Sequence, residues 1–347
     1  MKAGGTGRRK LRTAMCGPMS YPSRSLLAMN SESVAISAAG LARAFGEVNA
    51  VNGVDLSVAS GEMYGFLGPN GAGKSTMVRM LTTLLRPTSG SARVAGFDVA
   101  QETEAVRLRI GVALQDAALD PKQTGRELLD LQARLYGLAK RDRQRRVDEV
   151  IQIANIGDAI DRRISTYSGG MARRLDLAAA LIHEPIVLFL DEPTTGLDPA
   201  SRQTVWEEVG RLNRELGMTI FLTTQYLEEA DALCDRIGII ADGKLVAEGT
   251  PTALKRAIGT DVIIVRVSGD PELVRGRLAD IPDVERIDVR GDQVLISCAH
   301  GAATISPVAV ALADSDVEVR DLTLRTPTLD DVFLQLTGGH LTEGTAA

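Results

Sequence analysis

Residues 68–76 form a glycine-rich run that reads Gly68, Pro69, Asn70, Gly71, Ala72, Gly73, Lys74, Ser75 and Thr76. The spacing matches the pattern G-x-x-x-x-G-K-[ST], in which successive backbone N–H groups turn inward around a phosphate. In that pattern the lysine reaches the β- and γ-phosphates and the next hydroxyl binds magnesium, roles that fall here to Lys74 and Ser75. A glycine-rich turn can match by chance, but a predicted strand before the run and a predicted helix after it are the context in which the pattern binds nucleotides.

Strand and helix patterns alternate on both sides of this run. Apolar, strand-like segments occur at 33–37, 54–58, 63–67, 110–114, 186–190 and 219–223. Helical periodicity occurs at 73–85, 175–182 and 202–216. Near-continuous apolar strands separated by helices indicate an α/β fold with a parallel sheet covered on both faces. A mainly helical lobe is expected over about residues 116–172, with helical periodicity from 125 to about 161 and an exposed arginine-rich face at 140–146.

The pattern changes after residue 258. The predicted elements there are a strand at 262–267, a helix ending near 279, a hairpin of 286–290 with 294–298, a helix at 302–313, a strand at 317–324 and a helix at 329–336. The order β-α-β-β-α-β is typical of a small α+β, ferredoxin-like domain. We therefore expect a nucleotide-binding domain over residues 31–258 and a C-terminal α+β domain over 259–347. Residues 1–30 are basic and lack a periodic apolar face, which predicts a disordered tail or a misassigned start codon, since Met29 directly precedes the first strand pattern.

Two carboxylates, Asp191 and Glu192, follow a short apolar strand. Ligands of parallel sheets bind at the carboxyl ends of the strands, which is where these side chains are predicted to lie. Asp191 is expected to hold the magnesium ion, and Glu192 to polarise the attacking water. An acidic turn at a strand end is also a common surface feature, so this interpretation depends on the phosphate loop.

A Ser-Gly-Gly turn before that strand resembles the signature of ATP-binding-cassette (ABC) proteins; its residues are Ser168, Gly169 and Gly170. The resemblance implies the P-loop NTPase fold of the ABC cassette, with this turn contacting the γ-phosphate of ATP held by a second copy. Further positions match the family's Q-loop glutamine, its D-loop aspartate and the aromatic that stacks on adenine, namely Gln115, Asp198 and Phe45. By the same resemblance Gln115 also belongs to the magnesium shell. Taken alone, Phe45 suits a core residue better than an adenine contact.

The chain departs from the family where a histidine usually senses the γ-phosphate, because Gln225 occupies that position. Glutamine can donate a hydrogen bond to a phosphate oxygen, but it cannot become cationic near neutral pH. Hydrolysis is therefore expected to be slower or differently timed. The signature also has Tyr167 and Met171 where leucine and glutamine are commonest.

These departures resemble the daunorubicin-resistance type of drug-export ATPase, together with the segments 223–231 and 326–333. The resemblance covers about residues 31–339. It implies ATP and Mg²⁺ as ligands, an ATP-sandwich homodimer and a separately encoded membrane permease. It further implies efflux of a hydrophobic drug, antibiotic or lipid from the cytoplasmic face of the membrane. The C-terminal domain would help to pair the cassettes or dock onto the permease, and the sequence leaves both roles open.

Composition excludes several other classes of protein. The first 31 residues carry six basic side chains and no acidic one, so with a net charge of -6 the rest of the chain is strongly acidic. An acidic body with only 3% aromatic residues argues against a nucleic-acid partner. No apolar run approaches the roughly 18 residues that span a bilayer. The three cysteines are few and unclustered, as in a reduced cytosolic protein.

Two alternatives to an exporter subunit remain. A soluble cassette ATPase acting on nucleic acid or the ribosome usually has two cassettes or a long coiled coil, neither of which this sequence contains. A regulatory subunit that binds ATP with little turnover is compatible with Gln225.

Overall fold

A computed structural model of the chain describes residues 34–115, 119–268, 271–313 and 317–337. The predicted tail over 1–30 and Cys16 lie outside these ranges. The strands are β1 (Val34–Phe45), β2 (Val48–Ala59), β3 (Met63–Leu67), β4 (Ser89–Val94), β5 (Phe97–Asp98), β6 (Ile110–Ala113), β7 (Val187–Asp191), β8 (Thr219–Thr224), β9 (Arg236–Ala241), β10 (Lys244–Gly249), β11 (Asp261–Ser268), β12 (Val284–Arg290), β13 (Gln293–Cys298) and β14 (Glu318–Arg325). The α-helices are α1 (Lys74–Leu81), α2 (Thr103–Arg107), α3 (Gly125–Leu135), α4 (Lys140–Ala154), α5 (Gly169–Ala180), α6 (Pro199–Leu216), α7 (Leu227–Leu233), α8 (Pro251–Ile258), α9 (Glu272–Ala279), α10 (Gly301–Ala313) and α11 (Leu329–Thr337).

A sheet in the order β10-β9-β3-β8-β7-β6 forms the centre of the N-terminal part. Strands β9, β3, β8, β7 and β6 are parallel, and β10 is an antiparallel edge. Every residue of β3 and β7 is buried. Successive side chains point to opposite faces, so Phe189 joins one hydrophobic core while Leu188 and Leu190 join another. The structure thus confirms the predicted parallel sheet covered on both faces.

A second sheet, in the order β2-β1-β4-β5, is antiparallel and covers one side of this centre. The sequence patterns predicted only parts of β1 and β2, and they missed β4 and β5. The reason lies in the composition, since β4 reads Ser-Gly-Ser-Ala-Arg-Val with only two buried positions. Such small polar residues have weak strand preference, and pairing with β1 rather than local sequence makes them a strand.

The helical lobe contains α3 and α4 within the range where helical periodicity was predicted. Helix α3 begins with a capping box, because Thr124 Oγ1 accepts from Glu127 N at 3.2 Å while the Glu127 carboxylate accepts from Thr124 N at 2.9 Å. The predicted exposed face at 140–146 is wrong at Arg146, which is only 9% exposed. Its guanidinium donates to the carbonyl oxygens of Leu181 and Ile182, just past the end of α5. Because these carbonyls lack partners within the helix, the guanidinium of Arg146 donates to them and is buried.

The C-terminal sheet has the order β12-β13-β11-β14, and all its neighbouring strands are antiparallel. This is the order that a β-α-β-β-α-β connection produces in a ferredoxin-like sheet, as predicted. Residues of α9 and α10, including Val274 and Val308, pack with Ile263 and Ile296 in a separate core. Two cysteines, Cys234 and Cys298, are buried free thiols.

Helix α11 packs against the N-terminal part, although it follows the C-terminal sheet along the chain. Its residues Leu329, Val332 and Phe333 belong to the same core as Leu227 of α7 and Leu254 of α8. Sequence order had placed this helix with the C-terminal domain. The apolar face of α11 therefore ties the end of the described chain to the nucleotide-binding part.

Phe333→Ala is expected to destabilise the N-terminal part by about 3–5 kcal/mol, because a buried phenyl ring is replaced by a cavity. Phe333 is 1% exposed, whereas Leu336 on the same helix is 39% exposed and supplies a control, Leu336→Ala. Urea unfolding followed by the fluorescence of Trp206, the single tryptophan, reports on this part. Equal unfolding midpoints for the two variants would show that α11 contributes no buried packing.

Candidate active site

Four adjacent parallel strands end at one edge of the central sheet, in the order β3, β8, β7 and β6. Strand β3 leads into the run 68–76, β8 into Gln225, β7 ends at Asp191 before Glu192, and β6 leads to Gln115. Carboxyl ends of parallel strands are where α/β folds bind their ligands. Residues spread over more than 150 positions of sequence are thus gathered at one edge.

The glycine-rich run needs glycine for steric reasons at two positions. A Cβ atom on Gly68 would lie 2.5 Å from the Ile240 carbonyl oxygen, and one on Gly73 would lie 2.3 Å from that of Ala50. Gly73 also has a φ of 108°, a conformation open to glycine. It precedes α1 without a side-chain cap, so the first N–H groups of the helix are available to an anion.

Lys74 and Glu192 form a buried ion pair in the cleft. The Lys74 Nζ lies 3.2 Å from Glu192 Oε1, and the two side chains are only 4% and 7% exposed. Lys74 Nζ also donates to the Gly68 carbonyl oxygen at 2.7 Å, which holds the ammonium group over the loop. A phosphate entering the loop would share Lys74 with the carboxylate. The sequence did not predict this contact, because no local pattern links residues so far apart.

Asp191 lies behind the loop and is 3% exposed. Its Oδ1 accepts from Thr223 Oγ1 at 2.5 Å and from Ser75 Oγ at 3.3 Å. Oxygen ligands of this kind suit Mg²⁺, which takes few protein ligands and binds the phosphates as well. Gln115, the third predicted magnesium ligand, lines the same cleft. Thr223 is a site residue that the motifs missed; the signal is a hydroxyl in direct register with Asp191 on the neighbouring strand.

Glu192 has a strained backbone, with a φ of 48°. Its N–H donates to both the carbonyl oxygen and the Oγ1 of Thr223, at 3.0 and 3.1 Å. Thr195 Oγ1 donates to Glu192 Oε2 at 3.3 Å. A non-glycine residue in this region costs about 1–3 kcal/mol and persists where the surroundings fix it, often at functional sites. The carboxylate is therefore held toward the cleft.

The cleft has a volume of about 380 Å³, within the usual range for a small-molecule site. Its walls are formed by Ala50, Pro69, Asn70, Gly71, Gly73, Lys74, Ser75, Thr76, Gln115 and Glu192. Gly68 and Ala72 lie in the loop, whose turn they shape.

Gln225 is half-buried beyond the end of β8 and is not part of the wall. Phe45 also lies outside the wall, 48% exposed, with its ring centre 4.6 Å from the Arg43 guanidinium carbon, so it is not a core residue.

The signature turn and the D-loop aspartate begin two neighbouring helices. Ser168 caps α5 by accepting from Met171 N at 3.3 Å, and Asp198 caps α6 by accepting from Ser201 N at 3.0 Å. Hydrogen bonds from Ser201 hold the pKa of Asp198 below its ordinary value. A Cβ atom on Gly170 would lie 2.9 Å from Ser201 Oγ, so the two helix starts are in contact. Neither belongs to the wall of the cleft in the same chain.

Comparison with known sequences agrees with this geometry. The ABC transporter family model matches residues 51–195, and the model of the ATP-binding protein DrrA1-3-like C-terminal domain matches residues 249–337. The daunorubicin resistance ATP-binding protein DrrA2 of Streptomyces coeruleorubidus is 47% identical over 319 residues, covering 90% of this chain and 98% of the relative. The doxorubicin resistance ATP-binding protein DrrA of Mycobacterium tuberculosis is 40% identical over 331 residues, covering 92% of this chain and all of the relative.

Comparison with solved structures supports the same fold. A dimeric ATP-binding cassette in a post-hydrolysis state, bound to ADP and Pi, matches with a TM-score of 0.57 and 25% identity, covering 62% of this chain and 98% of that one. The ATP-binding subunit of an ABC transporter matches with a TM-score of 0.58 and 27% identity, covering 64% of this chain and 92% of that one. The chain therefore belongs to the ATP-binding proteins of ABC transporters, in the group that includes the daunorubicin and doxorubicin resistance proteins.

Proposed function

We propose that the chain binds Mg-ATP between two copies of itself and hydrolyses it to drive efflux through a separate permease. The observation that carries this proposal is the convergence of Lys74, Ser75, Gln115, Asp191 and Glu192 at one edge of the sheet. Resistance relatives with 40–47% identity along nearly the whole chain support a hydrophobic drug, antibiotic or lipid as the exported substrate.

Each side chain has a defined part in hydrolysis. Lys74 and the loop amides bind the phosphates, and Glu192, whose carboxylate points into the cleft, orients and polarises the attacking water. Gln225 donates a hydrogen bond to the γ-phosphate from the end of β8. A magnesium ion held by Ser75, Asp191 and Gln115 would neutralise charge on the phosphate oxygens.

A second copy would complete the site. Ser168, Gly169 and Gly170 form a helix N-terminus, a good anion-binding element, yet in their own chain they lie outside the cleft. Pairing two chains head to tail would place each such turn over the other chain's phosphate loop. The dimeric, ADP- and Pi-bound relative supports this arrangement.

The link to the membrane needs a partner. In the described part of the chain, none of the helices combines the length and apolarity that crossing a bilayer takes. An open groove runs between α3, α5 and β6, and its walls include Leu84, Leu128 and Tyr136. Leu84 is 57% exposed, and Leu135 on the same side of α3 as Leu128 is 72% exposed. Exposed apolar surface of this kind marks a binding surface, and we assign it to the permease, which would hold the chain at the cytoplasmic face of the membrane.

Reconstitution with a separately encoded membrane permease tests the function. The wild-type pair in lipid vesicles is expected to hydrolyse ATP faster when a hydrophobic drug such as daunorubicin is added. Leu84→Glu is expected to abolish that stimulation and the co-purification with the permease, while the isolated chain still folds and binds ATP. Leu273→Glu places the same charge on a similarly exposed leucine, at 64%, and should behave like wild type. Stimulation by nucleic acid or ribosomes but not by the permease would overturn the proposal.

A further inference from the structure

Arg173 is a buried arginine that the roles described so far do not use. It lies on α5, five residues after Ser168, and is only 8% exposed. Its Nε donates to the Pro193 carbonyl oxygen at 2.9 Å and its Nη2 to that of Asp191 at 3.3 Å. Its Nη1 donates to the Leu114 carbonyl oxygen. One guanidinium thus binds three backbone carbonyls that belong to two different segments.

These carbonyls flank the residues that act on ATP. Leu114 directly precedes Gln115, while Asp191 and Pro193 lie on either side of Glu192. The backbone of Glu192 is strained, and its N–H donates to Thr223 on the neighbouring strand. Arg173 therefore connects the two acting segments to α5, the helix that begins at the signature turn.

The buried charge forms an ion pair with Asp176, whose Oδ2 lies 3.2 Å from Arg173 Nη1. Burial lowers the pKa of Arg173 from its ordinary value, and burial raises the pKa of Asp176 to about 6. A buried ion pair is often no more stabilising than apolar side chains of the same volume. Stability alone is therefore a weak explanation for a guanidinium at this position, whereas three directed hydrogen bonds from one rigid fork are what positioning requires. Asp176 also lines the groove next to α3.

We propose that Arg173 is a positioning residue that couples the signature helix to the hydrolytic residues of its own chain. This inference rests on the proposed function. ATP held by the partner binds Ser168–Gly170 at the start of α5, and Arg173 transmits the resulting position of α5 to Gln115 and Glu192. Each chain thereby aligns its own hydrolytic residues best when the partner's nucleotide is in place, and the two sites act cooperatively.

The test is the steady-state ATPase of the full chain in its permease complex, as turnover, KM and Hill coefficient. Wild type is expected to have a Hill coefficient above 1, since two sites are coupled. Arg173→Lys keeps the charge opposite Asp176 but cannot span three carbonyls. Its turnover is expected to fall by roughly 10–10²-fold, as for other small misplacements of reacting groups, with KM unchanged and a Hill coefficient of about 1.

Arg146→Lys is the matched control, because Arg146 is also buried and also donates to two carbonyls just past the other end of α5. It should lose comparable stability yet keep turnover and cooperativity. If Arg173→Lys does not fold, the double variant Arg173→Met/Asp176→Leu replaces the ion pair by apolar side chains, and the same loss of cooperativity is expected. Unchanged turnover and Hill coefficient in either folded variant, or equal losses in Arg146→Lys, would overturn the inference. A wild-type complex without ATPase activity would instead overturn the proposed function itself.

Discussion

Glu192→Gln is expected to lower ATP turnover by roughly 10²–10⁴-fold, the usual contribution of a positioned general base. The amide has nearly the shape of the carboxylate but cannot take a proton from water. Glutamine can adopt the same backbone conformation, so the strained turn at φ 48° should persist. The loss is therefore one of chemistry and not of folding.

ATP affinity of the same variant is expected to stay equal or rise. Glu192 lies 3.2 Å from Lys74, so its carboxylate competes with the phosphates for the ammonium group, and the amide removes that competition. Turnover and the binding of a fluorescent ATP analogue measure the two effects separately. Glu228→Gln makes the same charge change at an exposed position and serves as the control. If turnover of Glu192→Gln stays within tenfold of wild type, Glu192 does not act as the base in hydrolysis.

Gln225→Ala is expected to cut turnover by a factor corresponding to about 2.7–4 kcal/mol, the cost of removing one donor to a developing charge. ATP affinity should change much less, because Lys74, the loop amides and magnesium dominate ground-state binding. Gln225→His should retain activity, since imidazole can donate from the same strand end. It should also acquire a pH dependence near neutrality, with faster turnover on the acidic side where the donor is cationic.

Turnover and nucleotide affinity of both Gln225 variants, measured over a range of pH, test this role. Wild type should show no such dependence on that side chain. An alanine variant as fast as wild type would show that Gln225 is a bystander and that the γ-phosphate is sensed elsewhere.

Local motifs predicted which side chains converge at the cleft, because the motifs consist of consecutive residues. The run 68–76 carries its own turn and helix start, and Asp191 and Glu192 end an unbroken apolar strand. The same apolar strands predicted the parallel sheet. Such local features can be predicted without knowing which distant residues they contact.

Contacts between distant residues could not be predicted in this way. The Lys74–Glu192 ion pair and the Thr223–Asp191 hydrogen bond depend on strand order in the sheet. Arg146 lies in the arginine-rich stretch that was predicted to be an exposed face, yet its hydrogen bonds to carbonyls past the end of α5 bury it. Helix α11 follows one domain along the chain and packs on the other. In each case a contact with a distant part of the chain, and not the local sequence pattern, determines where the side chain or helix lies.

Each catalytic site is proposed to be shared between two chains, and mixing two inactive variants tests this most directly. Lys74→Ala disables the phosphate loop. Gly169→Asp disables the signature turn, because it places a negative charge where the partner's phosphate should bind. The second change should still fold, since acidic residues suit the first turn of a helix and a Cβ atom there would lie 3.7 Å from Leu197 Cδ2.

The measurement is ATPase activity of each variant alone and of their equal mixture. Each alone is expected to be nearly inactive. The mixture should be more active than either variant alone but stay well below a quarter of wild-type turnover, because half of the pairs are mixed and each mixed pair has one complete site of two. That site works without nucleotide at the other site, so it lacks the coupling through α5. A mixture as inactive as its components, with both variants folded and paired, would contradict the shared site.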